Sequence, residues 1–366
     1  MFVGLTSTSQ MAVFRRDGGV LKLQYTVPFY EAPTDMVLTH DGQLLLAATG
    51  DSVTAVDVAA LIRGNGHPSV HRIRGEQFDT TIHVNVTHDD GYLFVANERG
   101  GTITVVNLKQ ARASGFGSSG IVGNIPAAEA PIAVTLSPDD KRLYSTSELA
   151  SGPLAKGWRC GLCQHGLFAT SEVASGLLTA GGAGCETDEG PGGIEVINVA
   201  RAEKDPAHSV LSLVPGGCEP VRLVLSDDGV IAYVTARGED EVLAFDTGRL
   251  ESDPVHALLG QVPAGHAPVG LAIGAERLIV ASSNRFGAPD APQHLTILDS
   301  NCQTWGHGSV LTAEVRAGSF PREERLSPDG KTLYVTNFNS NQLEMVDLTR
   351  LPPLAAQTAP GSVQTQ

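Results

Sequence analysis

Apolar and polar residues alternate in short runs along most of the chain, and the runs are broken by Gly, Pro, Asp and Asn. A period of two puts successive side chains on opposite faces of a strand, so the pattern predicts many short β-strands joined by tight turns. One phrase recurs: a proline, an alternating run ending in Ser or Thr, a turn, a second strand, and a third strand ending in Asp or Asn. It reads PTDMVLTHDGQLLLAATGDSVTAVDV from Pro33, TIHVNVTHDDGYLFVANERGGTITVVNL from Thr81, PIAVTLSPDDKRLYSTSE from Pro131, PVRLVLSDDGVIAYVTARGEDEVLAFDT from Pro220, PVGLAIGAERLIVASSN from Pro268 and PREERLSPDGKTLYVTNFNSNQLEMVDL from Pro321.

The first three copies start 48 and 50 residues apart, the length of a four-stranded propeller blade. Asp41-Gly42, Asp90-Gly91, Asp228-Gly229 and Asp329-Gly330 supply hairpin turns between first and second strands, which makes the blades antiparallel. The interval from Pro131 to Pro220 is 89 residues, so that blade carries a glycine- and cysteine-containing insertion over 151–192. Ahead of the first copy, FVGLTSTSQMAVFRRDGGVLKLQYTV reads as three strands of a further blade that lacks its inner strand. The chain is thus expected to be one all-β domain over 1–366, a seven-bladed propeller whose ring the N-terminal strands close. The tail, 351–366, would supply the missing inner strand. Six blades is the alternative, because Pro352, Pro353 and Pro360 make that tail a poor strand.

Composition narrows the function classes. The net charge is -15 and no Lys/Arg-rich run interrupts it, which disfavours nucleic acid as a partner. No stretch approaches eighteen consecutive apolar residues, so no membrane span is expected. Residues 1–16 read as strand, turn, strand rather than as a leader, so an exported protein would have had its leader removed. Trp158 and Trp305 are the only tryptophans, no glycine-rich phosphate loop follows a strand, and no GxSxG surrounds Ser7, Ser145 or Ser147. No cofactor is expected, and neither is a serine hydrolase.

The phrase LSPDGKTLYVTN, Leu326 to Asn337, closely resembles the signature of the YVTN-repeat propellers, a family that overlaps lactonase-like and muconate-cyclase-like seven-bladed proteins. The resemblance covers the chain apart from the insert and tail. It implies the propeller fold, and a lactonase or cycloisomerase acting in the central channel as one function.

Read with period two, the first, third and fifth residues after each proline are mostly apolar and should pack between blades. The second and fourth should look toward the channel: Asp35, His83, Ala133, Arg222, Gly270 and Glu323, then Val37, Asn85, Thr135, Val224, Ala272 and Arg325. Asp35, His83, Asn85, Arg222, Arg322, Glu323 and Arg325 are the candidate ligand-binding set, for an anionic or lactone-like ligand, with His83, Arg222 and Glu323 as candidate catalytic groups. The alternative is a hydrated charge network plugging the channel mouth. Arg322 and Glu324 break the apolar pattern of the sixth copy, and local rule-breaking of that kind points to function.

Cys160, Cys163 and Cys185 lie in the insert, and Cys218 opens the next inner strand on the same face. In an exported protein, periplasmic or extracellular, they would form disulfides. In a cytoplasmic one they would be free thiols or, with His165, a structural zinc site. Cys302 reads as a lone thiol. Asp57, Asn107, Asn198, Asp246, Asp299 and Asp347 recur at third-strand ends, as turn caps do. The leading functional reading is a monomeric scaffold that presents the channel mouth and insert to a small molecule or protein partner; the lactonase or cycloisomerase is the alternative.

Overall fold

The computed structural model describes residues 1–64, 68–150, 191–284, 293–305 and 311–352. Seven antiparallel sheets follow one another along the chain, each a simple meander, and together they form a seven-bladed β-propeller. The inner strands of the second to seventh blades are Pro33–Leu38, Thr81–Val86, Glu129–Leu136, Pro220–Leu225, Pro268–Gly274 and Pro321–Leu326. The first blade consists of Phe2–Leu5, Gln10–Asp17 and Val20–Pro28. Met11 and Val13 from it share a core with Leu45, Ala47 and Val56 of the second blade, and this independent sheet sets the six-blade alternative aside. The tail expected to complete the ring lies outside the described residues from 353 onward, as does the insert from 151 to 190.

Blades are held by apolar layers between them. Leu44–Thr49 is buried along its whole length because neighbouring blades cover both of its faces. Leu46 and Val53 of the second blade pack on Val84, Leu93 and Val95 of the third, and the same layer recurs as Phe94, Ala96 and Ile103 on Val134 and Leu143. Each fully buried Leu, Val or Phe removes enough apolar surface from water to contribute about 1.5–3 kcal/mol before entropy is counted. The third residue after the opening Pro or Thr thus packs between blades as expected in the second to sixth blades, as Met36, Val84, Val134, Leu223 and Leu271.

Two features were not visible in the repeat. All six of these inner strands shift register just after their opening residues, so a β-bulge recurs around the ring. In the first-to-second-strand turns the left-handed position falls on Gly42, Gly229 and Gly330, but in the third blade it falls on Asp90 (φ 55°) rather than Gly91, and in the fourth on Asp140 (φ 55°). Each of these turns is also clasped by a hydroxyl: Thr39, Thr87, Ser137, Ser226 and Ser327 bond the Asp two residues on at 2.6–2.8 Å. Asp57, Asn107, Asn198 and Asp246 cap short helices that open the third-to-fourth-strand connections, accepting from the backbone N–H three residues on.

Candidate functional site

The second residue after the opening Pro or Thr of the inner strand is charged or titratable in four blades, as Asp35, His83, Arg222 and Glu323, and these side chains join one network. Arg222, on the fifth blade, donates from Nη2 and Nε to Glu323 Oε2 on the seventh, at 2.9 and 3.3 Å. Between them the sixth blade has Gly270 at the same position, so no side chain blocks the path. A Cβ there would meet Arg322 O at 2.8 Å and Ala281 Cβ at 2.9 Å, so glycine is also required by close packing.

The network continues from Glu323. Its Oε1 is bonded by Arg325 Nη1, and Arg325 Nη2 reaches Asp35 Oδ1 on the second blade at 3.4 Å. Asp35 Oδ2 accepts from the backbone N–H of Val84 at 3.0 Å and lies 3.5 Å from His83 Nε2. The backbone N–H of Val134, on the fourth blade, donates to His83 Nδ1 at 3.3 Å. That donor assigns the ring proton to Nε2, beside Asp35. Contacts therefore run from the fifth blade through the seventh, second and third to the fourth, a nearly closed belt of two guanidiniums, two carboxylates and one imidazole.

Burial sets the protonation states. Desolvation dominates at His83 and outweighs the attraction of Asp35, lowering its pKa to about 4, so the ring is neutral near pH 7. Burial alone would raise Glu323, but Arg325 and Arg222 hold it well below the carboxylate range. Asp35, His83 and Arg222 are each less than 10% exposed, whereas Arg325 keeps 57% of its side chain open to solvent. Arg325 is thus the one cation of the belt placed to exchange its partners for a ligand.

Of the sequence candidates, Asp35, His83, Arg222, Glu323 and Arg325 come together. Asn85 ties the third inner strand to the fourth through Val134 O (3.2 Å), and Arg322 lies over the Phe338 ring, 5.4 Å from its centroid. Cys160, Cys163, His165 and Cys185 lie outside the described residues. Cys218 is buried with Sγ 3.1 Å from Glu239 Oε1, and Cys302 is a buried free thiol. Among the described residues no three or more His, Cys, Asp or Glu side chains form a metal-binding group.

Glu324, absent from the candidate set, was signalled by its break in the pattern. It fills the interblade position that Val84, Val134, Leu223 and Leu271 occupy elsewhere, is 3% exposed, and neither carboxyl oxygen has a hydrogen-bond partner. Burial, and then Glu323 beside it, push its pKa well above 4.5. Glu195 is a second buried acid: Ala128 N and Ser147 Oγ donate to it at 2.7 and 2.8 Å, and desolvation raises it to about 7. Its only sequence signal is a charge inside the apolar strand Gly193–Asn198.

Near the insert, Arg237 joins Glu219, the neighbour of Cys218, and Glu148, near the end of the strand Arg142–Leu149, both at 2.9 Å. No helix among the described residues is long and apolar enough to cross a membrane.

No protein-family model matches the sequence, and no curated protein does. Solved structures do. A putative 6-phosphogluconolactonase from Bacteroides fragilis is 16% identical with a TM-score of 0.65, over 94% of this chain and 89% of that one. The periplasmic gluconolactonase of Pseudomonas aeruginosa is 19% identical (TM-score 0.61, 94% and 91% covered). The hydrazine synthase of Kuenenia stuttgartiensis is 17% identical (TM-score 0.63, 94% and 91%). At these identities the likeness establishes a shared fold, which hosts more than one chemistry, and the chain is similar to lactonase propellers over nearly its full length.

Proposed function

We propose that the channel belt binds and hydrolyses a small lactone that carries an anionic group. The observation that supports this most directly is Arg325, which is shared between Glu323 and Asp35 yet more than half open to solvent. An anionic substituent on the ligand competes with Glu323 for Arg325 through a bidentate, charge-assisted contact. Once Arg325 turns to the ligand, Glu323 loses its largest stabilising charge, its pKa rises, and it can accept a proton. Water then attacks the lactone carbonyl while Glu323 takes its proton. Arg222 stabilises the oxyanion while Arg325 holds the anionic substituent; the ring C–O bond breaks, the proton passes from Glu323 to the leaving alkoxide, and the product is a hydroxy acid. His83 orients Asp35 and is not the base, because its Nδ1 lone pair is already occupied. The likeness to structures titled as lactonases supports the reaction class.

The occupied Nδ1 lone pair of His83 favours a second reading, a binding scaffold that captures a hydroxy acid without turnover. Titrating the purified chain with a panel of neutral and anionic lactones while following acid release separates the two. Hydrolysis lost in Arg222→Ala and Arg325→Ala supports the enzyme. Binding of the hydroxy acid with no acid release supports the scaffold.

Membership of the YVTN-repeat propellers, export to the periplasm or outside the cell, a monomeric state and a disulfide from Cys218 to the insert belong to the same proposal. A buried Cys218 at the foot of the cysteine-containing insert supports the last of these. Thiol titration with and without reductant, together with elemental analysis, tests it against free thiols and zinc.

A further inference from the structure

We propose that segment 359–364 of the tail docks on the seventh blade as its outer strand, against the edge of Gln342–Asp347. In each of the second to sixth blades the third strand is flanked on both sides, by the second strand and by an outer fourth. In the seventh blade it is the last strand of the sheet among the described residues, and such an edge offers a row of backbone N–H and C=O groups to an added strand. Burial marks the same gap. The third strands Ser52–Asp57, Thr102–Asn107, Gly193–Asn198 and Glu241–Asp246 each bury four or five of their six residues, whereas Gln342–Asp347 buries none, and Met345 is 38% exposed. A groove of about 480 Å³ runs beside it, lined by Val315 of the sixth blade and by Met345, Val346 and Leu351.

The connection lengths name the occupant. In four blades the apolar outer-strand residue that pairs with the third strand, Ile73, Val214, Val262 or Val315, comes 16 residues after the Asp or Asn that ends that strand, Asp57, Asn198, Asp246 or Asp299. Sixteen residues after Asp347 stands Val363. Asp347 also caps a short helical turn, Leu348–Arg350, where Asp57, Asn198 and Asp246 cap theirs. Set in the register of the fifth blade, Val363 pairs with Leu343 as Val262 does with Val242, and Gly361 pairs with Met345 as Gly260 does with Ala244. Pro360 then takes the place of Leu259, which the bulge of that strand leaves without a partner. A bulge at a sheet edge is where a missing N–H costs least, so the proline that weakens the tail as a central strand fits it as an outer one.

The apolar face of the added strand has a surface to cover. Val242 and Val262 pack on Leu278 and Leu298 of the following blade, so Val363 at the equivalent place faces the first blade. There Val13 shares a core with the second blade, so its neighbour Phe14 and the cross-strand partner Leu23 point the other way, toward the seventh, and Leu23 is 56% exposed. The tail thus completes the outer edge of the seventh blade and not the inner edge of the first, where the repeat alone would put it.

The test is amide hydrogen exchange of the full chain against a chain truncated after Thr358. Alternate amides of Gln342–Asp347 should exchange at least roughly 10-fold more slowly in the full chain, while Ser52–Asp57 should exchange alike in both and show that the ring persists. Val363→Asp should remove the added protection, and Gln366→Asp, beyond the paired segment, should keep it. Equal exchange of Gln342–Asp347 in the two chains would overturn the proposal, as would protection by the tail of Phe2–Leu5 instead. Protection that appears only at concentrations where the chain dimerises would overturn it too, and would assign the edge to a second copy.

Discussion

Arg222 and Glu323 are 101 residues apart in sequence and two blades apart in the ring, yet their side chains meet at 2.9 Å because Gly270 leaves the intervening position empty. This pairing makes the channel mouth a belt rather than a set of separate charges, and it links the fold of the sixth blade to the chemistry of the seventh.

Gly270→Val should disrupt both. The added Cβ meets Arg322 O and Ala281 Cβ below 3.0 Å, so backbone must move, at a cost of about 1–3 kcal/mol. Denaturant unfolding should show that loss, and any lactone hydrolysis should fall with it, since Arg222 no longer reaches Glu323.

Glu324 is held in an apolar layer without a hydrogen-bond partner, and its folded pKa is raised above 4.5. The stability associated with its protonated form is complete below pH 4.5 and is lost as pH rises through the folded pKa. Glu324→Leu restores the residue class of the other blades. It should stabilise the protein by about 1–3 kcal/mol at pH 8 and by less at pH 5, as measured by urea unfolding at both.

His83 behaves in the opposite sense. Its folded pKa of about 4 lies below the ordinary 6.5, so the unfolded chain binds the extra proton and stability falls as pH drops from 6.5 toward 4. Between pH 7 and 4.5 the difference in unfolding free energy between wild type and His83→Gln should change by about 2–3 kcal/mol, with the wild type losing more. An unchanged difference would mean that His83 is charged in the folded state.

The sequence displays the propeller because six copies of one phrase carry their own turn signals, and it reaches the charged members of the belt because period two sorts the inner strands. It does not display the bulge. The bulge arises from backbone register, and Asp35 and His83, which flank it in the second and third blades, are buried. Arg322 was singled out by its break in the pattern and Asn85 by its place in period two; the structure puts an aromatic ring beside the first and a neighbouring strand against the second. Asp90 was hidden by the glycine that follows it, since Asp-Gly normally places the left-handed conformation on glycine.

The central claim is that an anionic ligand frees Glu323 to act as the base. Its most direct measurement is the hydrolysis rate of a matched pair of lactones, one with a carboxylate substituent and one without, by wild type and Glu323→Gln. The account predicts that wild type prefers the carboxylated lactone and that Glu323→Gln reduces its kcat by roughly 100- to 10,000-fold. Equal rates on the two lactones, or full activity in Glu323→Gln, would contradict it.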